Sequence, residues 1–88
     1  MEKIIITHGD IKENYDIIGP KWFEIQVVNK SYKQKKQQWF FDKAIKQLEK
    51  ECKSIECNAI IHLRHQIINS SSNVYTYEFY GTAVNVVK

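Results

Sequence analysis

An apolar stripe with helical spacing runs through the middle of this chain, and it constrains the fold more than any other feature. Between residues 36 and 56 apolar side chains recur every three or four positions; they are Phe41, Ile45, Leu48, Cys52 and Ile55, with Ala44 beside them. This spacing places them on one face of an amphipathic helix. Because 88 residues suffice for a single core, we predict one domain over residues 1–88.

Segments that alternate apolar and polar residues lie on both sides of this helix and predict β-strands. They are residues 3–7, 15–18, 21–29, 58–68 and 74–87, with Gly19-Pro20 ending the second. The order is therefore β-β-β-α-β-β. We predict an α+β fold, in which an antiparallel-rich sheet forms one layer and the long helix forms the other.

The alternation also assigns side chains to the two faces of the sheet. In the strand before the helix, one face carries Phe23, Ile25 and Val27. In the strand after the helix, one face carries Ala59, Ile61, Leu63, His65 and Ile67. The opposite face then carries Trp22, Glu24, His62 and Arg64. One helix covers one face, so we expect this mixed aromatic and charged face to meet a ligand or partner. Gly81 in the last strand predicts a bulge or a close backbone approach.

The sequence gives no sign of a membrane protein or of a secreted one. No segment approaches the roughly 18 apolar residues that span a bilayer, and residues 1–7 are too short for a signal peptide. Small secreted domains usually carry more than two cysteines. We therefore expect a cytoplasmic protein with free thiols at Cys52 and Cys57.

Three segments, in their order and spacing, resemble the YbjQ-like family, which is described as a heavy-metal-binding domain of unknown function. They are Tyr15–Gly19, Cys57–Arg64 and Tyr80–Val84. The resemblance implies a small α+β subunit that assembles into a ring, typically a pentamer, and it implies no established catalysis. The chain departs from the family pattern at Glu56-Cys57, where Gly-Ala is usual, and in having Trp22 and Trp39.

The family label prompts a search for metal ligands, and thiolate and imidazole suit zinc or copper. The candidates are His8, Cys52, Cys57, His62 and His65. Cys52 lies in the apolar stripe, and His62 and His65 fall on opposite faces of a strand, so they do not converge on one ion. We predict no metal and no cofactor. Cys57 with His62, across a subunit boundary, is the alternative metal site.

Catalytic motifs are also lacking in the sequence. It contains no Gly-x-Ser-x-Gly, P-loop or His-Glu-x-x-His pattern. Cys57 with His62 is a candidate nucleophile and base, but no third group that would orient them is evident. We therefore expect a protein that is not an enzyme.

Charge is concentrated in the middle of the chain. Residues 30–53 hold eight lysines against three carboxylates, a net charge of +5, whereas the whole chain carries +3. Trp39 lies beside the Lys35-Lys36 pair at the predicted helix start, where backbone N–H groups attract anions. Two interpretations stay open: a solvated lysine surface with Phe40 in the core, or a site for phosphate with a stacking base.

We predict that the protein is a homo-oligomer that binds a small anionic, nucleotide-like molecule between subunits and sequesters it. The predicted ligand-binding residues are Trp22, Lys35, Lys36, Trp39, His62 and Arg64. Extended nucleic acid is disfavoured, because Arg64 is the one arginine and the charge excess is small. The alternatives are a metal-binding protein and a purely structural oligomerisation domain.

Overall fold

The computed structural model describes residues 3–87, and in them a helix packs on a four-stranded sheet. The elements are β1 (Ile5–Ile6), β2 (Tyr15–Val28), α1 (Gln37–Ser54), β3 (Ala59–Ser70) and β4 (Val74–Val86). The strand order is β1-β3-β4-β2; β1 is parallel to β3, and the other neighbours are antiparallel. The predicted α+β fold with an antiparallel-rich sheet is confirmed. Met1, Glu2 and Lys88 of the predicted domain lie outside the described residues.

Three strands were predicted before the helix and two are present: the predicted strands 15–18 and 21–29 are not separate, because β2 runs without a break from Tyr15 to Val28. It pairs with β4 from Tyr15 opposite Val86 to Val28 opposite Val74, with a register shift beside Gly19. Gly19 has a φ of 141°, which a residue without Cβ adopts at little steric cost. Pro20 has no N–H to donate to a neighbouring strand. It is tolerated because β2 is an edge strand and pairs with one neighbour only. A bulge therefore replaces the predicted turn.

A second bulge corrects the predicted faces of β3. His62, with a φ of 54°, and Leu63 together lie opposite the single residue Gly81. Before the bulge, Ala59 and Ile61 belong to a small cluster on the face away from the helix, whereas Leu63 belongs to the main core. The extra residue shifts the alternation by one, so these three side chains do not share a face as predicted. The close backbone approach predicted at Gly81 is confirmed, but the bulge itself lies in the neighbouring strand β3.

The buried stripe of α1 agrees with the predicted one at Leu48 and Cys52 and departs from it nearer the start of the helix, where Phe40 and Ala44 are buried in place of Phe41 and Ile45. Its fully buried members are spaced four apart and are Phe40, Ala44, Leu48 and Cys52. Phe41 and Ile45 are half-buried at the flank that faces β3. The helix therefore turns Phe40 into the core, where its ring contacts Tyr75 at 4.3 Å between centroids.

The helix ends in a tight backbone turn that brings the two cysteines together. The N–H of Cys57 donates to the carbonyl of Cys52, and the N–H of Glu56 donates to that of Lys53, both at 3.0 Å. Glu56 has a φ of 61°, as the residue after a helix cap often does. Cys52 and Cys57 form a disulfide. The expectation of two free thiols is therefore wrong, although both side chains are buried as core residues.

The sheet face away from α1, called the outer face below, is covered at one end only. There Ile11 and Tyr15 pack with Ile5 and Val86 over the buried residues of the small cluster. The loop that carries Ile11 is held by the N–H of His62, which donates to the carbonyl of Gly9 at 2.9 Å. Most of the rest of the outer face is exposed. Among residues 3–87, no helix is long and apolar enough to cross a membrane.

Candidate functional site

The predicted ligand-binding residues fall into two groups on opposite layers of the fold. Lys35, Lys36 and Trp39 lie together at the start of α1. Trp22 and Arg64 lie together on the outer face, while His62 occupies the exposed bulge of β3. Within the chain the sheet separates the two groups. The six residues therefore do not form one site within a single chain.

The group at the helix start is a lysine-aromatic cluster around Trp39. Lys35 Nζ and Lys43 Nζ each lie 5.6 Å from the centroid of the Trp39 ring. Both distances are within the range of cation–π attraction. Trp39 is half-buried, and its ring packs edge-on against Phe40 at 5.0 Å between centroids. The core thus fixes the ring, while two ammonium groups remain beside it. The four residues of this group are called the Lys–Trp cluster below; they are Lys35, Lys36, Trp39 and Lys43.

The first turn of α1 strengthens the positive potential at this cluster. Lys36 occupies the N-cap position in extended conformation, and its side chain caps no backbone N–H. No acidic residue lies in the first turn. The free N–H groups and the positive end of the helix dipole therefore add to the lysine charges. An anion, such as a phosphate group, is the chemical species that this arrangement favours.

Asn29 anchors the lysine-rich loop that leads into the cluster. Its side chain is buried; Nδ2 donates to the carbonyl of Lys33 at 2.9 Å, and Oδ1 accepts the N–H of Ser31 at 3.1 Å. Its backbone N–H donates to the carbonyl of Asn73 at 2.7 Å. These bonds tie the loop to the turn between β3 and β4. The loop therefore reaches the helix in a defined conformation.

Sequence reasoning missed Lys43 as a member of this cluster. Lys35 and Lys43 stand four residues before and four residues after Trp39. On a helix, residues four apart are neighbours on the surface. The spacing from Trp39 to Lys43 is the signal that marks Lys43 as a neighbour of the ring.

The group on the outer face forms a row across three strands. Trp22 on β2 pairs with Tyr80 on β4, which in turn pairs with Arg64 on β3. Trp22 is 59% exposed and Tyr80 is 41% exposed. In the next row Glu24 lies opposite Glu78, whose carboxylate accepts a bond from Gln66 at 3.0 Å. The outer face thus carries exposed aromatic rings bordered by charges of both signs.

The alternative metal site has no support from the described geometry. The sulfur of Cys57 is bonded to that of Cys52, and Cys57 is 4% exposed. In this form Cys57 offers no thiolate to a metal or to a substrate. Within residues 3–87, no three His, Cys, Asp or Glu side chains are grouped so that they could hold a metal ion.

Comparison with solved structures finds the same fold in a protein of unknown function from Pediococcus pentosaceus, which belongs to the DUF74 family. The two chains share 22% sequence identity and a TM-score of 0.65, and the match covers 96% of this chain and 98% of that chain. At this identity the likeness shows a shared fold. No family model and no curated protein matches the chain.

Proposed function

We propose that this chain is a homo-oligomeric protein without enzymatic activity that binds a small anionic, nucleotide-like molecule and sequesters it. The observation that carries this proposal is the Lys–Trp cluster: two ammonium groups lie 5.6 Å from one tryptophan ring at an uncapped helix start. Phosphate needs positive charge and N–H donors, and a base or sugar needs an apolar surface to stack on. The cluster supplies both around one tryptophan ring at the start of α1.

We also propose that the chain is a member of the YbjQ-like family. The segments Tyr15–Gly19, Cys57–Arg64 and Tyr80–Val84 support this, as does the shared fold with a protein of the DUF74 family, which is the same family. Membership implies a ring of subunits, typically five. In such a ring the outer face of one subunit can lie near the Lys–Trp cluster of the next, so that Trp22 and Arg64 complete the site.

Affinity for nucleotides should depend on the two lysines beside Trp39. Lys35→Ala and Lys43→Ala should each weaken binding about tenfold or more, because a hydrogen bond to a charged group contributes about 1.5–3 kcal/mol. Isothermal titration calorimetry with AMP, GMP, CMP and UMP measures this. Lys50→Ala is the control, since Lys50 is exposed on the same helix away from Trp39. Equal losses in all three variants would show that general charge, and not the cluster, attracts the ligand.

The second prediction concerns assembly. The purified chain should be a multimer by native mass spectrometry, and Trp22→Glu should dissociate it, because a charge replaces an exposed ring on the proposed interface. Tyr32→Glu is the matched control, since Tyr32 is fully exposed on the lysine-rich loop and should leave the multimer intact. A monomeric wild-type protein contradicts the proposed oligomer. A multimeric Trp22→Glu variant places the interface elsewhere.

A further inference from the structure

A cavity of about 450 Å³ lies beside the first turn of α1, on the flank opposite to Trp39. It opens between the helix and the second half of β3, beyond the residues of β3 that pair with β1. Its lining residues are His8, Gln37, Gln38, Phe41, His65, Ile67 and Tyr77. This volume is within the range of small-molecule sites in proteins. The cavity begins at Gln37, the residue that directly follows Lys36 of the Lys–Trp cluster.

Aromatic rings form the walls of this cavity. The ring centroids of Phe41 and His65 are 4.9 Å apart, and those of His8 and His65 are 6.0 Å apart. Beneath them, His65 also contacts Phe79, with 5.8 Å between centroids. His8 and His65 are exposed, so their faces are accessible from solvent. Such rings offer flat π surfaces, which stack on planar heteroaromatic molecules.

Tyr77 lines the cavity, and its hydroxyl group is buried and lacks a hydrogen-bond partner among residues 3–87. Tyr77 is 1% exposed, and its ring stacks between those of Tyr75 and Phe79. Burial raises the pKa of this phenol, with a smaller contribution from Tyr75, so the hydroxyl keeps its proton. A buried donor without a partner is unfavourable. An acceptor atom of a bound molecule would satisfy it.

The remaining polar groups of the lining offer acceptors. His8 Nδ1 lies 2.9 Å from the carbonyl oxygen of Leu63, which can only accept, so the proton is on Nδ1. In the neutral ring Nε2 is then an acceptor. Gln38 Nε2 donates to Asp42 Oδ1 at 2.8 Å, and its amide oxygen remains available. Besides the buried Tyr77 donor, the cavity thus presents at least two acceptors, and its lining contains no lysine or arginine.

We propose that this cavity binds the heteroaromatic base of a nucleotide whose phosphate is held by the Lys–Trp cluster; the proposal rests on the function proposed above and identifies the ligand class more closely. The base stacks on Phe41 and His65, and one of its acceptor atoms accepts a hydrogen bond from the Tyr77 hydroxyl. Because Lys36 and Gln37 are adjacent in the chain, phosphate and base lie on the two sides of the same helical turn. Aromatic and neutral polar groups line the base site, and lysines surround the phosphate site.

Calorimetry with AMP, GMP, CMP, UMP and ribose 5-phosphate tests this assignment. The wild-type protein should bind at least one nucleotide about tenfold more tightly than it binds ribose 5-phosphate, which has no base. Tyr77→Phe removes one oxygen atom and should weaken binding of that nucleotide about tenfold while leaving ribose 5-phosphate unchanged. Tyr32→Phe is the matched control, since Tyr32 is fully exposed and does not line the cavity.

A second variant and a spectroscopic readout keep the test independent of any folding defect. His65→Ala, at an exposed position, should also weaken nucleotide binding, and the NMR signals of the His8 and His65 rings should shift with nucleotide but not with ribose 5-phosphate. If nucleotides bind but Tyr77→Phe and His65→Ala bind as the wild type does, the base lies elsewhere and this inference is overturned while the proposed function stands. If nothing binds below about 1 mM, both fail.

Discussion

Replacing Phe40 with alanine should lower the free energy of unfolding by about 3–5 kcal/mol, the usual loss for a large aromatic side chain in a core. Phe40 has no exposed surface, and its ring contacts those of Trp39 at 5.0 Å and Tyr75 at 4.3 Å. The substitution leaves a cavity between the helix and the sheet. A small domain has a total stability of about 5–15 kcal/mol, so a large part of it depends on this one ring.

Chemical denaturation followed by circular dichroism measures this effect. Tyr32→Ala is the matched control, because Tyr32 is an aromatic residue with 100% of its side chain exposed and should change stability little. A loss below about 1 kcal/mol for Phe40→Ala would mean that the helix does not insert this ring into the core as described. The same result would remove the support that holds Trp39 in place.

Gly81→Ala is the second substitution with a large expected effect. A Cβ at Gly81 would lie 3.0 Å from the backbone carbonyl oxygen of Ile61 and 3.0 Å from Ile60 Cγ2, with Leu63 Cα at 3.3 Å. The oxygen and the Cα belong to the bulged backbone of β3, which cannot move as a flexible side chain does. We expect a loss of about 1–3 kcal/mol, as for other overpacked core positions.

Gly9→Ala is the control for this prediction. A Cβ at Gly9 would have no atom within 4 Å, so the substitution adds no clash. It should be neutral or slightly stabilising, because alanine restricts the unfolded chain. Thermal unfolding of both variants compares them directly. Equal melting temperatures for Gly81→Ala and Gly9→Ala would show that the bulge of β3 does not approach β4 as closely as described.

Local patterns in the sequence predicted the fold class because they reflect contacts that repeat. The alternation of Phe23, Ile25 and Val27 gave the buried face of β2, and the spacing of Leu48 and Cys52 gave the helix. Gly81 indicated a close approach because only glycine fits against a neighbouring backbone. These features depend on residues that are near each other in the chain or on the size of one side chain.

Bulges limited what the sequence could predict. His62 is not glycine, and the residues beside it do not predict its φ of 54°. The alternation of residues along β3 therefore could not predict that the faces shift at this position. The choice of Phe40 over Phe41 as the buried ring depends on how the helix is rotated on the sheet. The pairing of Cys52 with Cys57 depends in the same way on the turn around Glu56.

The candidate site was predicted in part for the same reason. Lys36 is the N-cap of α1 and Lys35 directly precedes it, so local reasoning placed both lysines beside Trp39. His8, His65 and Tyr77 come from separate segments that meet only in the folded chain. Their grouping depends on long-range packing, which no motif in a single sequence encodes. Trp22 and Arg64 share a row on the outer face, and only a second subunit can bring them to the helix start.

Fluorescence of Trp39 tests the central claim, that the Lys–Trp cluster binds an anionic nucleotide-like molecule. The substitution Trp22→Phe leaves Trp39 as the one tryptophan in the chain and keeps an aromatic ring on the outer face. Titration with AMP, GMP, CMP and UMP should change its emission in a saturable way below about 1 mM for at least one of them, and Lys35→Ala with Lys43→Ala should abolish the change. Emission that stays constant up to that concentration with all four nucleotides would contradict the account.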